Sequence, residues 1–159
     1  MALLGNRQTW ETNIDLSVSG VAERGGILCF VPGVAGLGGY LDATAVSGQV
    51  AKPAGLLLGD VEAINFYNNP EYRQRNVTPQ GGVVGIATEG EFWTDFVEQT
   101  ITGFGTVGTY APGDVLSLAD NGNVSRKLTA GNNVTRVVVG TALSALTSDG
   151  FLKIRLELN

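Results

Sequence analysis

The sequence predicts an all-β fold, a compact β-sandwich or barrel of short antiparallel strands with an extended N-terminal arm. Glycine accounts for 23 of the 159 residues without a collagen-like period, which indicates many tight turns. The apolar segments are short and are bounded by turn residues, and no window carries a sustained helical apolar stripe. Short strands separated by closely spaced turn signals are typical of sandwiches and barrels.

The first residues have the character of an arm. They are mostly polar, with Leu3, Leu4 and Trp10 as large apolar exceptions, and the segment "NIDLSVSG" then alternates apolar and polar residues as a half-buried strand does. A terminal arm is disordered unless it docks on something. We therefore expect residues 1–26 to be an arm and first strand, and residues 27–159 to be a single β domain.

The next part of the chain alternates between apolar strands and turns. "ILCFV" and "AGLLLGDVEAI" predict buried strands, and "VVGIATEGEFWTDFV" predicts two strands joined by a turn at Glu89-Gly90. A Pro-Gly turn at 112–113 leads into another strand, and the Asn-Gly pair within 120–123 predicts a hairpin.

The last strand has the clearest pattern. In "FLKIRLELN" every second residue is apolar and the residues between are charged. This strict alternation predicts a strand with Leu152, Ile154, Leu156 and Leu158 on the buried face, and with Lys153, Arg155 and Glu157 on the other face.

The charged residues of the chain indicate which classes of partner it can bind. Charged residues make up 16% of the chain, below the roughly 25% of an average protein, and the net charge is −5. So few charges predict that part of the surface is covered by other chains. The negative charge and the scattered basic residues indicate neither nucleic acid nor a membrane as the partner, and no apolar run approaches the length of a membrane span.

The residue types that most enzymes use are scarce. The chain has no histidine, which removes the usual general base and the histidine metal ligands. Cys29, the single cysteine, lies in an apolar run, and we expect a buried thiol. Glu89 and Glu91 leave carboxylate catalysis as an alternative, but solvated acidic residues beside a glycine are the simpler interpretation. We expect no enzyme, no cofactor and no metal.

Four aromatic residues are candidates for contacts. Trp93 lies in a predicted strand, where core packing is favoured over exposure. Tyr67 and Tyr72 fall in the long polar segment "NFYNNPEYRQRNVTPQGG", which is too long for an ordinary connection and is expected to carry a contact. Trp10 belongs to the arm.

The C-terminal half resembles the head decoration, or cement, proteins of tailed bacteriophages. The resemblance rests on Gly113-Asp114-Val115 leading into a strand, a polar hairpin, Val139-Gly140-Thr141-Ala142-Leu143, and Ser148-Asp149-Gly150 leading into the last strand. "KPAGLLLGDVE" before "GGVVGIATEGEFWT" is similar to members of the same group. The resemblance covers roughly residues 50–159 and does not extend to residues 1–49.

The resemblance implies a β-rich homotrimer without a catalytic site, located on the capsid exterior of a virion. Such a protein binds the assembled head and bridges neighbouring major capsid protein subunits. The expected capsid or subunit contacts are Leu3, Leu4, Trp10, Tyr67 and Tyr72. Two alternatives stay open, namely another virion component such as a tail or fibre part, and a carbohydrate-binding β-sandwich.

Overall fold

Strands make up nearly all the regular structure of the described residues. A computed structural model describes residues 3–18, 20–30, 37–38, 52–63, 77–101, 105–106, 109–126 and 137–158. The strands are β1 (Leu3–Ser17), β2 (Ile27–Phe30), β3 (Leu37–Gly38), β4 (Lys52–Leu57), β5 (Asp60–Glu62), β6 (Val77–Pro79), β7 (Val83–Thr94), β8 (Thr100–Ile101), β9 (Gly105–Thr106), β10 (Val115–Leu118), β11 (Val124–Arg126), β12 (Val138–Ala142) and β13 (Leu152–Glu157). A short 3-10 turn at Asp120–Gly122 lies between β10 and β11. Within these ranges no helix is long and apolar enough to cross a membrane.

Nine of these strands form one antiparallel sheet. Its order is β11-β10-β12-β13-β7-β4-β2-β3, and β1 pairs with β7 off this path. β5 pairs with β6 in parallel, and β8 pairs with β9. Seven antiparallel strands of this sheet are nearly closed into a barrel, which confirms the predicted all-β fold.

The residues just after β7 contact β11, the strand at one end of the sheet order. The chain bends at Asp95, and the Phe96 carbonyl accepts a hydrogen bond of 2.8 Å from the Val124 amide of β11. The Glu98 amide in turn donates to the Val124 carbonyl, also at 2.8 Å. Since β11 is the last strand of the sheet order, these bonds satisfy an edge that would otherwise be unpaired.

The barrel interior is the larger of two cores. Side chains from β2, β4, β7, β10, β11, β12 and β13 meet there. Leu116, Leu152, Ile154 and Leu156 are at most 1% exposed. Burial of each such side chain contributes roughly 1.5–3 kcal/mol. The predicted alternation of β13 is confirmed, because Lys153, Arg155 and Glu157 lie on the opposite face and Leu158 is half-buried against the core.

A second core lies on the other face of β2, β4 and β7. Leu28, Leu57 and Ile86 are fully buried there, beneath Val18, Ala22 and Val61. Ala22 and Val61 exchange two backbone hydrogen bonds, of 3.0 and 2.7 Å. This bridge holds β5 over the sheet, so the β2–β4–β7 part of the structure has apolar residues on both faces.

The alternation of side chains along β7 shifts from one face of the sheet to the other, which the sequence did not predict. Ile86 and Phe92 are an even number of residues apart and belong to one face of a regular strand, yet Ile86 lies in the second core and Phe92 in the barrel core. Gly90, between them, has a φ of 141°. The expected turn at Glu89-Gly90 is wrong: β7 continues through it, and the glycine permits a backbone distortion within the strand.

The expected N-terminal arm has a partner within the same chain. β1 pairs with β7 from Leu3 opposite Thr94 to Ser17 opposite Val83. The register shifts at four points, and at one of them Trp10 is the extra residue between the pairs Thr9–Gly90 and Glu11–Glu89. The division into residues 1–26 and 27–159 stays a prediction.

Candidate functional site

The outward-facing surface of the barrel carries both polar and apolar side chains on neighbouring strands. Cross-strand pairs place Val115 beside Thr141, Thr141 beside Arg155, and Arg155 beside Glu91. The equivalent inward row is Leu116, Gly140, Leu156 and Gly90, and all four are buried. We call the outward surface the outer face. It comprises Glu89, Glu91, Trp93, Val115, Val138, Thr141, Leu143, Lys153, Arg155 and Glu157.

Glu91 is the centre of an ion-pair network on the outer face. Its Oε1 accepts a hydrogen bond of 2.9 Å from Arg155 Nη2, and its Oε2 lies 3.0 Å from Lys153 Nζ. The hydrogen bond from Arg155, then that from Lys153, lowers the pKa of the Glu91 carboxyl. The network links β7 to β13 across the barrel surface.

Two residues further along the sheet, β7 and β13 both carry a glutamate. Glu89 lies directly opposite Glu157. Like charges directly opposite each other destabilise a sheet. Lys153 lies at the other end of β13, opposite Trp93. The outer face is therefore acidic at its Glu157 end, whereas the Lys153 ammonium at the other end is paired with Glu91.

Exposed apolar side chains accompany these charges. Val115 and Val138 are each 43% exposed, on β10 and β12. Their neighbours Leu116 and Val139 are buried in the barrel core, which places both valines on the outer face. Single exposed apolar side chains are normal on protein surfaces, so these two valines do not by themselves mark a binding site.

Trp93 lies on the outer face, not in either core. Phe92 and Thr94 on each side of it are 2% and 0% exposed, whereas Trp93 is half-buried. The expectation that Trp93 packs in the core is wrong, because the alternation of β7 after Gly90 turns this position outward. The apolar character of tryptophan carried no information about which face it occupies.

The structure describes only some of the contact residues that the sequence predicted. Leu3, Leu4 and Trp10 belong to β1, where Leu4 pairs with Trp93. Their side chains lie outside the described part of the structure, as do Tyr67 and Tyr72 altogether. Their role as an interface stays a prediction. The outer face was missed as a site, although the alternating charges of "FLKIRLELN" were a signal for it.

A shallow cleft lies away from the outer face. Residues 21–24 and 60–62 line a volume of about 450 Å³. The Arg24 amide donates a hydrogen bond of 2.9 Å to Asp60 Oδ1, and the two side chains form an ion pair at 4.0 Å. These contacts hold β5 to the loop before β2.

Cys29 is the buried thiol that the sequence predicted. It is 0% exposed in the barrel core, and burial raises the pKa of the thiol to about 11. Among the residues that the structure describes, no three acidic or cysteine side chains are grouped so that they could hold a metal ion. The expected lack of a metal and of a cofactor stays a prediction.

The sequence matches no model of a known protein family and no curated protein. The fold by itself places the chain in the class of all-β proteins built on a nearly closed antiparallel barrel.

Proposed function

We propose that this chain is a bacteriophage capsid decoration protein. It binds the outer surface of the assembled head as a homotrimer and stabilises the head by bridging major capsid protein subunits. The proposal starts from the resemblance of the C-terminal half to head decoration proteins. It is supported by the way in which the resembling segments are connected in space.

The segments that carry the resemblance form one hydrogen-bonded unit, and this is the observation that carries the proposal. The Gly113 amide donates to the Ala142 carbonyl, and the Ala142 amide donates to the Asp114 carbonyl, each at 2.8 Å. The Asp114 carboxylate also accepts a hydrogen bond from the Ala111 amide at 2.8 Å. The Gly-Asp-Val turn is thus joined directly to the Val-Gly-Thr-Ala-Leu strand.

The third segment belongs to the same unit. The Leu143 amide donates to the Lys153 carbonyl at 2.7 Å, and the Gly150 amide donates to the Thr147 carbonyl at 3.0 Å, which closes the turn before β13. Segments that fold as one unit are expected to resemble the corresponding segments of decoration proteins as a set. The hydrogen bonds that join the three segments therefore support a resemblance of the whole unit to decoration proteins, because unrelated turns that match by chance would not be expected to lie together.

The test is reassembly on heads. Heads prepared from a parent phage that lacks the gene would be mixed with the purified chain and separated on a density gradient. We expect the chain to sediment with assembled heads and not with free capsid subunits, and we expect decorated heads to retain their DNA to a higher temperature. A chain that stays unbound, or that is found in the tail fraction of wild-type particles, contradicts the proposal.

The arm residues provide a sharper variant of this test. A buried tryptophan at an interface contributes about 2 kcal/mol or more, and three arms in a trimer act together through avidity. We therefore expect Trp10→Ala to lower retention on heads with little change in melting temperature. Phe30→Ala, at an aromatic residue of β2 that is 41% exposed, is the control and should leave retention intact. Equal losses in the two variants would contradict a specific role for the arm.

A carbohydrate-binding surface is the second candidate, because Trp93 lies outward beside charged groups that can bond to hydroxyls. Lys153 is its direct cross-strand neighbour, and Glu91 lies two residues away on β7. A sugar stacked on Trp93 would change the tryptophan fluorescence during titration with oligosaccharides, and Trp93→Ala would abolish the change while Trp10→Ala would not. No change with any oligosaccharide would remove this candidate.

A further inference from the structure

We infer that β1 is an exchangeable strand, which pairs with β7 of its own chain in the monomer and with β7 of a second copy when two copies associate. Each copy then contributes its β1 to a strand-binding edge of the other copy. The backbone pairing of β1 is the basis of this inference, and it is independent of the proposed function because it needs no capsid.

The attachment of the chain to the body of the barrel begins at Val18, directly after β1. The Gly81 amide donates a hydrogen bond of 2.7 Å to the Val18 carbonyl, and the Val18 amide donates to the Gly82 carbonyl at 3.4 Å. Further along, the Gly25 amide donates to the Leu57 carbonyl at 2.8 Å. Before Val18, β1 pairs with β7 and with no other strand of the described part of the chain. β1 can therefore leave β7 without breaking the bonds that hold the residues after it.

The pairing of β1 with β7 is interrupted along its whole length. β1 has 15 residues and β7 has 12, so the register shifts at four points, and no run of consecutive pairs is longer than two. β13, by contrast, pairs with β7 at all 6 of its residues without a shift. A shift leaves backbone groups unpaired and disrupts the ladder. We therefore expect β1 to open locally at a lower free-energy cost than β13.

The last of these shifts provides a hinge. Between Asn13 and Leu16 the pairing advances three residues along β1 but two along β7. Hinges are short segments in which a few residues absorb a change of backbone dihedrals. Residues 14–15 lie where the ladder is already broken, just before the anchored Val18. The part of β1 that precedes them can turn there from its own β7 to β7 of a second copy.

β7 stays in place when β1 leaves. Its other edge pairs with β13 from Glu89 to Thr94 and with β4 at Ile86 and Ala87. Ile86 and Phe92 are buried in the two cores. Departure of β1 therefore leaves unpaired amides and carbonyls along one edge of an otherwise intact strand. Such an edge is a template for pairing with another extended segment.

β1 of a second copy is the occupant that the pairing itself supports. The pairing within one chain shows that this edge of β7 accepts the β1 sequence. Exchange between copies reproduces the same contacts, which makes it a low-cost route to association. The low charged fraction of the chain, 16%, also indicates that part of its surface is covered by protein.

The first test mixes two full-length variants that each carry one added cysteine. Glu11 and Glu89 are opposite each other in the register of β1 and β7, and directly opposite positions of an antiparallel pair are within disulfide distance. Cys29 stays in place, since its thiol is buried. A tagged Glu11→Cys chain and an untagged Glu89→Cys chain are mixed at about 100 μM, where weak association is populated, and are then oxidised. We expect a disulfide-linked heterodimer on a non-reducing gel.

The control mixture contains Ser148→Cys in place of Glu89→Cys. Ser148 and Glu89 are both exposed, but Ser148 is not paired with β1, so only random collisions link it to Glu11→Cys. The yield of heterodimer should be about tenfold lower or less, because strand pairing raises the effective concentration of the two thiols. Equal yields in the two mixtures overturn the inference. So does a chain with both Glu11→Cys and Glu89→Cys that forms intrachain disulfides alone at every concentration.

The second test measures the opening of β1 in the wild-type chain. In native-state hydrogen exchange we expect the amides of β1 to exchange about tenfold or more faster than those of β13, because interrupted pairing opens more often. Amides of β1 that exchange as slowly as those of β13 overturn the inference.

A labelled peptide of residues 1–17 probes the edge of β7 directly. Its binding to the reduced chain with Glu11→Cys and Glu89→Cys, measured by fluorescence anisotropy, should fall about tenfold or more once oxidation fixes β1 on its own β7. A peptide with Thr12→Pro and Asn13→Pro is the control and should not bind, since adjacent residues of a strand face opposite edges and one of the two prolines removes a ladder donor.

Three outcomes of the peptide experiment contradict exchange between copies. The first is that the reduced chain binds no peptide. The second is that the oxidised and reduced chains bind it equally well. The third is that the peptide is captured while the full-length chains form no heterodimer, which would identify the edge of β7 as a site for a strand of another protein.

Discussion

The hydroxyl of Thr94 donates a hydrogen bond of 2.9 Å to the carbonyl oxygen of Gly25, 69 residues earlier in the chain. The same hydroxyl oxygen accepts a hydrogen bond of 3.1 Å from the Phe96 amide. Thr94 is the last residue of β7 and is 0% exposed. One buried hydroxyl therefore connects the loop before β2 to the bend that follows β7.

Replacement of Thr94 by valine tests this connection. Valine has a similar shape but leaves the Gly25 carbonyl and the Phe96 amide without this partner, and an unsatisfied buried group costs about 1–3 kcal/mol. We expect Thr94→Val to lower the free energy of unfolding in urea by that amount. Thr141→Val, on the half-buried outer face, should change it by no more than about 0.5 kcal/mol. Equal effects would show that the hydroxyl of Thr94 has no special role.

Gly140 is a position where only glycine fits. A β-carbon built on it would lie 1.9 Å from the carbonyl oxygen of Arg155 on β13, so β12 and β13 would have to separate. We expect Gly140→Ala to destabilise the protein by about 3 kcal/mol or more, as measured by thermal or urea unfolding.

Gly85 provides the matched control for Gly140. It lies in β7, and a β-carbon there would be 3.8 Å from its nearest neighbour, Leu58 Cδ1, which is an ordinary contact. Gly85→Ala should change the free energy of unfolding by less than about 1 kcal/mol. A Gly140→Ala protein as stable as Gly85→Ala would disprove the close approach of β12 and β13.

The Glu91 ion pairs predict a dependence of stability on acid. Arg155 and Lys153 lower the pKa of this carboxyl in the folded state from its ordinary value of 4.5. Their stabilisation is present above pH 4.5 and is lost as the pH falls through the lowered pKa. In urea titrations at several pH values, Glu91→Gln should remove part of the loss of stability on acidification. High salt should reduce the difference between the two proteins, because these groups are near solvent.

Cys29 predicts slow thiol chemistry in the native state and a loss of stability in strong base. Burial raises the pKa of the thiol from 9.0 to about 11, so the unfolded chain releases its proton first, and stability falls as the pH rises from 9.0 to about 11. A disulfide reagent should label Cys29 only on unfolding.

A chain with Cys29→Ser and Ser148→Cys is the control for this labelling, because Ser148 is exposed. It should react at once in the native state. Rapid labelling of native wild-type protein would contradict the burial of Cys29.

Local patterns were sufficient where a feature depends on neighbouring residues. The alternation of "FLKIRLELN" predicted both faces of β13. The Pro-Gly turn before β10 and the hairpin between β10 and β11 were also predicted, and the structure closes the hairpin with a bond from the Ala119 amide to the Asn123 carbonyl. Asn121 there has a φ of 57°, a conformation that asparagine tolerates better than most residues.

Local patterns failed where the outcome depends on a distant strand. Glu89-Gly90 has the composition of a turn, but β13 pairs along both residues and keeps them in β7. Trp93 is a large apolar residue of the kind expected in a core, but the distortion at Gly90 turns it outward. The network at Glu91 could not be predicted either, since Arg155 is 64 residues away in the chain.

The sequence by itself determined that this is an all-β protein, with a last strand apolar on one face and charged on the other, because strand periodicity and turn chemistry are properties of adjacent residues. Only the tertiary structure decided that the strands nearly close into a barrel, that β7 contributes to two cores, and that β1 pairs with β7. It also decided which charges meet on the outer face. These features depend on pairing between segments far apart in sequence, where the choice of partner is made by the burial and hydrogen bonding of the whole sheet.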